Sequence, residues 1–260
     1  MTVTRYVSPA VERAFAILEA LAEAREMGLS ELARALRLGK SSVYRLLNTL
    51  VSTGYVEKRP DSGRYRLTYR LSLLAGAASE RSGLADAAAP VLRRLAAENA
   101  ESANLGVLEG GVVVNLLRVE GPQPLRLHLA LPGGVPPHAT GLGKVLLAAL
   151  GPAELRARLG SAPLARLTPR TIRDRRTLRA ELERVGRLGY AVDDEECSLG
   201  LRCVAAPVRD RSGEVIAAVS IAAPAHRLPR ERVPEVARTV TLAGRELSRR
   251  LGHGEWRARA

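Results

Sequence analysis

Residues 39–68, "GKSSVYRLLNTLVSTGYVEKRPDSGRYRLT", carry the clearest structural pattern in the N-terminal part of the chain. The first half of this stretch repeats apolar residues every three or four positions, which is typical of a helix with one buried face. Its second half contains two short runs rich in β-formers, "GYVEKR" and "GRYRLT", joined by the turn sequence Pro-Asp-Ser-Gly. This order predicts a helix followed by a β-hairpin.

Two more helices are predicted before this segment. The Ser-Pro pair at 8–9 suits a helix start, because Ser can cap and Pro is tolerated in the first turn. The predicted apolar face of this first helix consists of Val11, Phe15, Leu18, Leu21 and Ala22. The second helix, "ELARALRL", is predicted to be capped by Ser30 and to bury Leu32, Ala35 and Leu36. Three short helices and a hairpin, in this order, predict a winged helix-turn-helix.

The third helix, from about Ser41 to Ser52, separates its apolar and polar residues around the helix axis. At 100° per residue, one side collects Val43, Leu46, Leu47 and Leu50. The opposite side carries Ser, Arg and Asn, with a Tyr on the flank. Arg can read guanine edges and Asn can read adenine edges in the major groove. This pattern predicts a DNA recognition helix.

The hairpin is predicted to form a basic wing that contacts the DNA backbone or the minor groove. Together, the helix and the wing give the following predicted DNA-binding residues: Lys40, Ser41, Ser42, Tyr44, Arg45, Asn48, Arg59, Arg64 and Arg66. For any one of these residues the alternative is an ordinary solvated polar position. The arrangement as a whole favours binding to double-stranded DNA.

Composition supports this interpretation only mildly. The 260 residues leave room for one large or two modest domains, and the formal net charge is +13. Arginine supplies 37 of the 40 basic residues, and a guanidinium forks onto oxyanions such as phosphate. Arginine is also frequent wherever a genome is rich in GC, so its location matters more than its number. Residues 1–70 contain 12 basic and 7 acidic residues.

Several classes of site are not predicted. Cys197 and Cys203 lack a second Cys or His pair at zinc-ligand spacing, and two cysteines give no disulfide framework. No catalytic residues, metal or cofactor are expected. The start "MTVTRYVSPA" lacks the apolar core of a signal peptide, and the longest uncharged stretch, 127–143, is broken by Pro, Gly and His. The expectation is a cytoplasmic protein with no membrane partner.

After residue 68 the pattern changes twice. A helical connector is predicted over 69–83, followed by a helix in "GLADAAAPVLRRLAAEN". From about Ser102 the period becomes that of strands, with hairpins turning at 110–111 and 212–213 and a further strand in "LRLHLAL". Helices are predicted in "TGLGKVLLAAL", in "DRRTLRAELERVGRLG" and over about 230–250. Strands with inserted helices indicate an α+β domain.

Individual residues of this second part have mostly structural interpretations. Cys203 is predicted to be a small core residue of a strand. His138 and Thr140 are predicted to form a helix entry, and "DDEE" at 193–196 a solvated acidic turn. "GLGK" at 141–144 lacks the remaining glycine spacing of a phosphate loop.

The sequence resembles the IclR family of bacterial transcriptional regulators over nearly its whole length. The N-terminal run that ends in "YRLLNTLVSTGYVEKRPDSGRYRL" is similar to the winged helix of that family. "PPHATGLGKVLLAAL", "GYAVDDEECSLGLRCVAAPV" and "VIAAVSIAAP" resemble its effector domain. The resemblance implies an α+β chain in which an N-terminal winged helix-turn-helix is joined by a helical linker to a GAF-like α/β effector domain. The corresponding boundaries are 1–68, 69–83 and 84–252, with a tail at 253–260.

The resemblance also implies a function. It is that of a ligand-responsive, sequence-specific DNA-binding transcriptional regulator, most often a repressor of a catabolic operon for a small organic acid or aromatic compound. Its partners would be an inverted-repeat operator, a small-molecule effector and further copies of the chain, in a homodimer or a dimer of dimers (a homotetramer). The connector 69–83 would supply the dimer contact. The alternatives are an activator, an effector-independent DNA-binding dimer, or an enzyme. Against an enzyme, the sequence shows no recognisable set of a nucleophile, a base and a residue that orients the base.

The resemblance places an effector pocket between the loop-helix after "HAT" and the last hairpin. Gly141 and Leu142 would supply backbone amides, Asp193, Leu201 and Cys203 would line the wall, and Ser220 would offer a hydroxyl. Some carboxylate-binding members have alanine at the position of Leu142 and serine at the position of Ala222. The aliphatic residues here imply a less polar or differently shaped effector.

Overall fold

A computed structural model describes residues 8–74, 83–123, 134–160 and 162–254. The chain divides into an N-terminal unit, Met1–Arg81, and a C-terminal unit, Ser82–Ala260. Both units combine helices with an antiparallel sheet. The predicted α+β class, with an N-terminal helix-turn-helix domain and a C-terminal α/β domain, is confirmed.

The described part of the N-terminal unit contains a three-stranded sheet and, before the wing, three helices. The helices are α1 (Pro9–Ala24), α2 (Leu29–Ala35) and α3 (Lys40–Ser52), and the strands are β1 (Glu26–Met27), β2 (Val56–Lys58) and β3 (Tyr65–Leu67). The sheet order is β1-β3-β2, and both strand pairs are antiparallel. The predicted winged helix-turn-helix is therefore present. Strand β1 was not predicted, because two residues are too few to show a period.

The buried face of α1 differs from the predicted one. Ile17 and Leu21 are buried in the core of the unit, whereas Val11 is 54% exposed and Phe15 is 61% exposed. The helix is apolar over a wide arc, so the spacing alone allows two overlapping stripes. Packing against α3 buries the stripe that contains Ile17, and this tertiary contact does not follow from the spacing of apolar residues.

Helix α2 begins earlier than predicted and buries a different alanine. Its N-cap is Gly28, whose N–H donates to Glu31 Oε2 at 2.8 Å, so Ser30 lies inside the helix rather than capping it. Ala33 is buried and Ala35 is exposed. The glutamate three residues after the cap, a capping-box residue, moves the start of the helix forward.

The described residues of the C-terminal unit form a five-stranded antiparallel sheet, five α-helices and two short 3-10 helices. The strands are β4 (Ser102–Glu109), β5 (Val112–Val119), β6 (Ala191–Asp194), β7 (Leu201–Arg209) and β8 (Val215–Pro224). The helices are α4 (Leu84–Asn99), α5 (Gly141–Ala148), α6 (Pro152–Leu159), α7 (Arg175–Leu188) and α8 (Val233–Arg250). The sheet order is β5-β4-β8-β7-β6.

The sheet lies between two layers of helices. Helices α4 and α8 cover one face, where Leu92, Val219 and Val240 belong to the main core. Helices α5 and α7 lie on the other face, where Val145 and Ala205 belong to a second cluster. This second face carries the residues that the family resemblance assigns to the effector pocket.

Most predicted elements of this unit are confirmed, including both hairpins, although α6 was not predicted. The predicted strand "LRLHLAL" lies in 124–133, outside the described residues, as do 75–82 of the predicted linker and 255–260 of the tail. Residues 70–74 of the linker are helical. Within the described ranges, no helix combines the length and the apolar character needed to cross a bilayer.

The predicted acidic turn at 193–196 is wrong. Asp193 and Asp194 belong to β6, and Asp193 is only 1% exposed. Glu196 is buried as well. Four consecutive acidic residues favour solvent on composition alone, but here they receive hydrogen bonds and ion pairs from other elements.

Candidate DNA-binding face and ligand cavity

Helix α3 presents a polar face beside a buried apolar one. Val43, Leu47 and Leu50 are buried, and they hold the helix against α1 and α2. Ser42 is half-buried, and the remaining predicted positions on the helix are exposed: Lys40, Ser41, Tyr44, Arg45 and Asn48. The helix therefore carries Arg and Asn side chains on the surface that faces away from the core.

The cations on α3 lie apart from the acidic side chains that the structure describes. Among the described residues, neither Lys40 nor Arg45 has a carboxylate within 4 Å. The first turn of α3 contains no acidic residue, so the positive end of the helix dipole is not neutralised locally. The start of α3 is therefore an electropositive point at which a phosphate group can bind.

The arginines of the wing are in a different situation, because each one is paired with a carboxylate. Arg59 Nη2 lies 2.8 Å from Asp61 Oδ2, and hydrogen bonds from Arg59 lower the pKa of Asp61 to about 2. Arg66 is paired with Glu57. The structure therefore separates the paired arginines of the wing from Arg45, which has no carboxylate within 4 Å among the described residues.

Arg64 links the wing to the rest of the unit. Its Nη2 lies 2.7 Å from Glu31 Oε2 on α2, and it donates at 3.2 Å to the backbone oxygen of Glu26 on β1. Its Nε lies 3.2 Å from Glu26 Oε1. Arg64 is therefore a structural link between β3, β1 and α2, in addition to the DNA contact that the sequence predicts.

The second candidate site is a cavity on the α5 side of the large sheet. Strand register brings its wall together, because Asp193 pairs with Cys203 and Cys203 pairs with Ala222, while Asn104 pairs with Ser220. The cavity has a volume of about 70 Å³. Its lining consists of Asn104, Val113, Asn115, Arg118, Val135, Thr140, Gly141, Leu142, Asp193, Leu201, Cys203, Ser220 and Ala222.

All six residues that the resemblance assigned to the pocket line this one cavity, but the sequence analysis did not assign four further polar ones to it. Thr140 was predicted to be part of the helix entry, and the other three lie on strands. Asn104, Asn115 and Arg118 lie on β4 and β5. A β-bulge explains the omission: Leu105 pairs with Leu117 and Gly106 pairs with Asn115, so β5 contains one extra residue. Asn115 and Arg118 consequently reach the same cavity from positions three apart, which a period of two does not reveal.

The start of α5 contributes backbone groups to the cavity. Thr140 caps the helix by accepting the N–H of Gly143 at 2.9 Å. In the described part of the chain, the N–H groups of Gly141 and Leu142 have no acceptor. Gly143 is required sterically, because a Cβ there would lie 2.2 Å from the carbonyl oxygen of Pro137. The glycines of "GLGK" thus bring the helix start close to its neighbours.

Asp193 is the most strongly perturbed acid of the cavity wall. Its Oδ1 accepts the N–H groups of Glu196 at 2.8 Å and Cys197 at 3.2 Å. Its Oδ2 is buried and has no hydrogen-bond partner among the described residues. Burial, reinforced by the negative charge of Glu196, raises the pKa of Asp193 to about 7.

A buried ion cluster lies next to Asp193. Lys144 on α5 is only 1% exposed, and its Nζ contacts Glu196, Glu181 at 3.4 Å and the backbone oxygen of Val192. The lysine therefore holds α5, α7 and the residues after β6 together. No local pattern predicts this cluster, because the glutamate partners of Lys144 are 37 and 52 residues away.

The remaining polar candidates are structural. Burial raises the pKa of the Cys203 thiol well above its ordinary value and that of Cys197 to about 12, so neither thiol is activated. His138 is buried in a 3-10 turn, with Nε2 2.9 Å from the backbone oxygen of Ala165. No group of His, Cys, Asp and Glu in the residues that the structure covers could hold a metal ion.

The winged helix with its open α3 face defines a DNA-binding protein, and the same chain contains a second domain with a cavity whose apolar walls carry several polar groups. The family model described as the IclR helix-turn-helix domain matches residues 10–60, and that of the bacterial transcriptional regulator IclR C-terminal domain matches residues 76–249. The chain belongs to the IclR family. It is a DNA-binding transcriptional regulator, and members of this family are regulators rather than enzymes.

Curated relatives and solved structures agree with this assignment. The chain is 35% identical over 246 residues to the HTH-type transcriptional regulator KdgR of Escherichia coli K12, covering 95% of this chain and 94% of KdgR. It is 32% identical over 244 residues to the transcriptional repressor AllR of the same strain, covering 94% and 90%. An IclR homologue from Microbacterium hydrocarbonoxydans, crystallised with 4-hydroxybenzoate, superimposes with a TM-score of 0.78 at 29% identity, covering 93% of this chain and 98% of that one.

Proposed function

We propose that this chain is a ligand-responsive repressor of a catabolic operon, and that its ligand is a small organic or aromatic acid. The observation that carries the proposal is the internal cavity, which combines apolar walls with several converging polar groups. Small-molecule sites share this combination of a mostly apolar lining and a few placed polar groups, although this cavity, at about 70 Å³, is small among them. Repression is supported by the relative AllR, which is a repressor.

The polar groups of the cavity favour an anionic ligand. The N–H groups of Gly141 and Leu142 lie at the positive end of α5, where a carboxylate is stabilised. Arg118 adds a guanidinium to the lining, and its Nη2 donates to Ser102 Oγ at 3.4 Å. Asn104 and Ser220, whose side chains lie 3.5 Å apart, can fix the orientation of the ligand. The volume of about 70 Å³ suits a compact ligand.

On the DNA side, we assign base reading to the exposed face of α3. Arg45 and Asn48 are the residue types that read guanine and adenine, and Lys40 and Ser41 suit phosphate contacts. The wing arginines Arg59, Arg64 and Arg66 are assigned to backbone contacts, for which each would exchange a carboxylate partner for a phosphate.

A dimer, or a dimer of dimers, on an inverted repeat is part of the same proposal. The N-terminal unit exposes several large apolar side chains, which a second copy could cover: Val11, Phe15, Tyr69, Leu73 and Leu74. Ligand binding would shift the relative placement of the two recognition helices in the dimer. Because half-site spacing is geometric, a modest rotation lowers operator affinity.

The test is a calorimetric titration of the purified full-length protein with acetate, pyruvate, D-gluconate and 4-hydroxybenzoate, and with the corresponding amides. We expect at least one acid to bind, its amide to bind more weakly, and the bound acid to release the protein from its promoter fragment. Tighter operator binding with ligand would indicate an activator. Binding of no acid, with operator binding intact, would indicate an effector-independent regulator.

A variant of the cavity provides the matched comparison. Ser220→Leu fills the cavity wall and should abolish the response to ligand while operator binding is retained. Ile216→Ala, on the same strand but outside the cavity, should respond like the wild type. An unchanged ligand titration of Ser220→Leu would remove this cavity from the proposed function.

A further inference from the structure

A groove runs along the edge of the large sheet and is separate from the ligand cavity. Its volume is about 960 Å³, and its lining comes from α8, from the end of α7 and from Pro207 and Arg209 on β7. The groove forms because β6 is short: β6 pairs with β7 only up to Ala205, whereas β7 continues to Arg209. Among the described residues, none lines both the groove and the ligand cavity.

Two exposed leucines give the groove an apolar surface. Leu242 on α8 is 57% exposed, and Leu188, the last residue of α7, is 47% exposed. Arg245 and Arg249 follow Leu242 at spacings of three and four, so these three side chains form one stripe along α8. Large apolar side chains that are exposed along one groove mark a site at which another molecule binds.

The groove is positively charged, and its lining contains no acidic residue within the described part of the chain. Arg245 and Arg249 are exposed, and neither has a carboxylate within 4 Å there. Glu246, which lies between them in the sequence, instead pairs with Arg94 and with Arg250, the latter at 2.9 Å. The guanidinium groups of the stripe are therefore available to carboxylates of a binding partner.

The uncovered part of β7 is a poor template for an additional strand. Pro207 has no N–H group, and the N–H of Arg209 donates to Ser248 Oγ on α8 at 2.8 Å. Strand addition depends on backbone hydrogen bonds, and these two positions have no N–H group left to donate. A partner is therefore held by its side chains, as an amphipathic helix is when its apolar face lies in a groove.

Charge and apolar surface together select the kind of partner. In a two-fold contact with a second copy, the arginines of one groove would face the same arginines and repel them. Duplex DNA would supply negative charge, but its phosphates offer no apolar surface to Leu188 and Leu242. Residues 255–260, which follow the groove residue Gly254 in the sequence, contain two arginines and one glutamate and do not complement the charge. An acidic segment with one apolar face complements both features.

We propose that this groove binds an acidic amphipathic helix of a partner protein. The apolar face of that helix packs against Leu188 and Leu242, and its carboxylates pair with Arg245 and Arg249. The site goes beyond the response to a small ligand, because it gives the C-terminal unit a protein-binding surface apart from the ligand cavity.

The probe for this site is a fluorescent synthetic helix of about four turns, with leucine at i, i+3, i+4 and i+7 and glutamate elsewhere. Two control peptides replace its leucines by alanine or its glutamates by lysine. Fluorescence anisotropy measures the binding of each peptide to the full-length protein. We expect each control to bind at least about tenfold more weakly, because burial of one leucine already corresponds to about that factor and lysines repel the arginines.

Variants of the protein locate the binding site. Arg245→Gln combined with Arg249→Gln should weaken binding of the acidic peptide about tenfold and reduce its dependence on salt. Arg173→Gln combined with Arg179→Gln removes the same charge at exposed positions outside the groove and should bind like the wild type. Leu242→Ser should also weaken binding, whereas Leu242→Met should not. An unchanged circular dichroism spectrum and melting temperature show that each variant is folded.

Several results would overturn the proposal. Failure of the acidic peptide to bind, or equal binding by the wild type and by Arg245→Gln with Arg249→Gln, would exclude the groove. Equal binding of the leucine and alanine peptides would mean that the groove only attracts anions.

Two other occupants are tested in the same way. Binding of random-sequence duplex DNA that is weakened by the groove variants but not by Arg173→Gln with Arg179→Gln would assign the groove to nucleic acid instead. A change in the sedimentation of the protein alone on Leu242→Ser would show that a second copy covers it. Each of these results would leave the proposed ligand response intact, because the ligand titrations concern the other cavity.

Discussion

The two units differ in how far their functional ionisable side chains are exposed to solvent. In the N-terminal unit the charged groups of α3 and the wing remain at the surface, where they either lack an ion-pair partner among the described residues or form exposed pairs. In the C-terminal unit Lys144, Asp193 and Glu196 are buried against one another. Exposed charge contributes little to stability but is available to DNA, whereas buried charge is costly to alter and shapes a site. The same residue types therefore serve recognition in one unit and internal architecture in the other.

Among the variants that test this difference between the units, Lys144→Met should have the largest effect, which is on the free energy of unfolding. It leaves the buried Glu196 without its cation, whereas Glu181 keeps Arg184 at 2.8 Å, and removing one partner of a buried pair costs about 3–5 kcal/mol. The free energy of unfolding of the C-terminal unit should fall by that amount in urea titration. The exposed control Arg179→Met should change little. If both variants were equally stable, the buried cluster would not contribute to stability in the way described.

The next effect should appear in the pH dependence of stability. The pKa of Asp193 in the folded chain, about 7, lies above the ordinary value of 3.8, so the folded state keeps a proton that the unfolded chain releases between these values. Its contribution to stability is therefore lost as pH rises from about 4 to 7, by roughly 2–4 kcal/mol.

Asp193→Asn should remove this loss, so that the variant gains stability over the wild type as pH rises. Urea titrations of both proteins at about pH 5 and pH 8 measure the difference. A stability gap that is the same at both pH values would mean that Asp193 ionises normally.

On the exposed side, Arg45→Ala should weaken operator binding by about 1–3 kcal/mol and relax the base preference at one position of each half-site. The protein should remain as stable as the wild type, because Arg45 is exposed and has no carboxylate within 4 Å in the described part of the chain. Selection of binding sites from a randomised pool measures the preference. An unchanged sequence logo would exclude Arg45 as a base reader.

The smallest effect should come from the wing. Glu57→Gln releases Arg66 from its ion pair, which should raise affinity for any DNA by less than about 1 kcal/mol and make it slightly more sensitive to salt. Glu19→Gln, on the exposed side of α1, is the control for the loss of one negative charge. A sequence-selective change would place Arg66 among the base readers instead.

Sequence reasoning predicted the fold better than it predicted the contacts. Period and turn chemistry were sufficient for the winged helix and for both hairpins, because these signals are local. They were insufficient for the buried side of α1, where Phe15 and Ile17 are equally apolar and only packing distinguishes them.

Local sequence patterns were also insufficient to predict all the residues of the cavity. The family resemblance brought Asp193 and Ser220 to one place, but Arg118 was missed because a bulge changes the phase of β5. The unused oxygen of Asp193 depends on hydrogen bonds from Glu196 and Cys197, which no spacing reveals.

The central claim is that the open face of α3 reads a specific DNA sequence. The most direct test is competition binding, in which the full-length protein is bound to a labelled palindromic fragment from its own promoter region and challenged with unlabelled palindrome or with a scrambled duplex of the same composition. We expect the palindrome to compete at least about 10³-fold better at physiological salt, and Arg45→Ala to reduce that ratio. Equal competition by the two duplexes would contradict the claim.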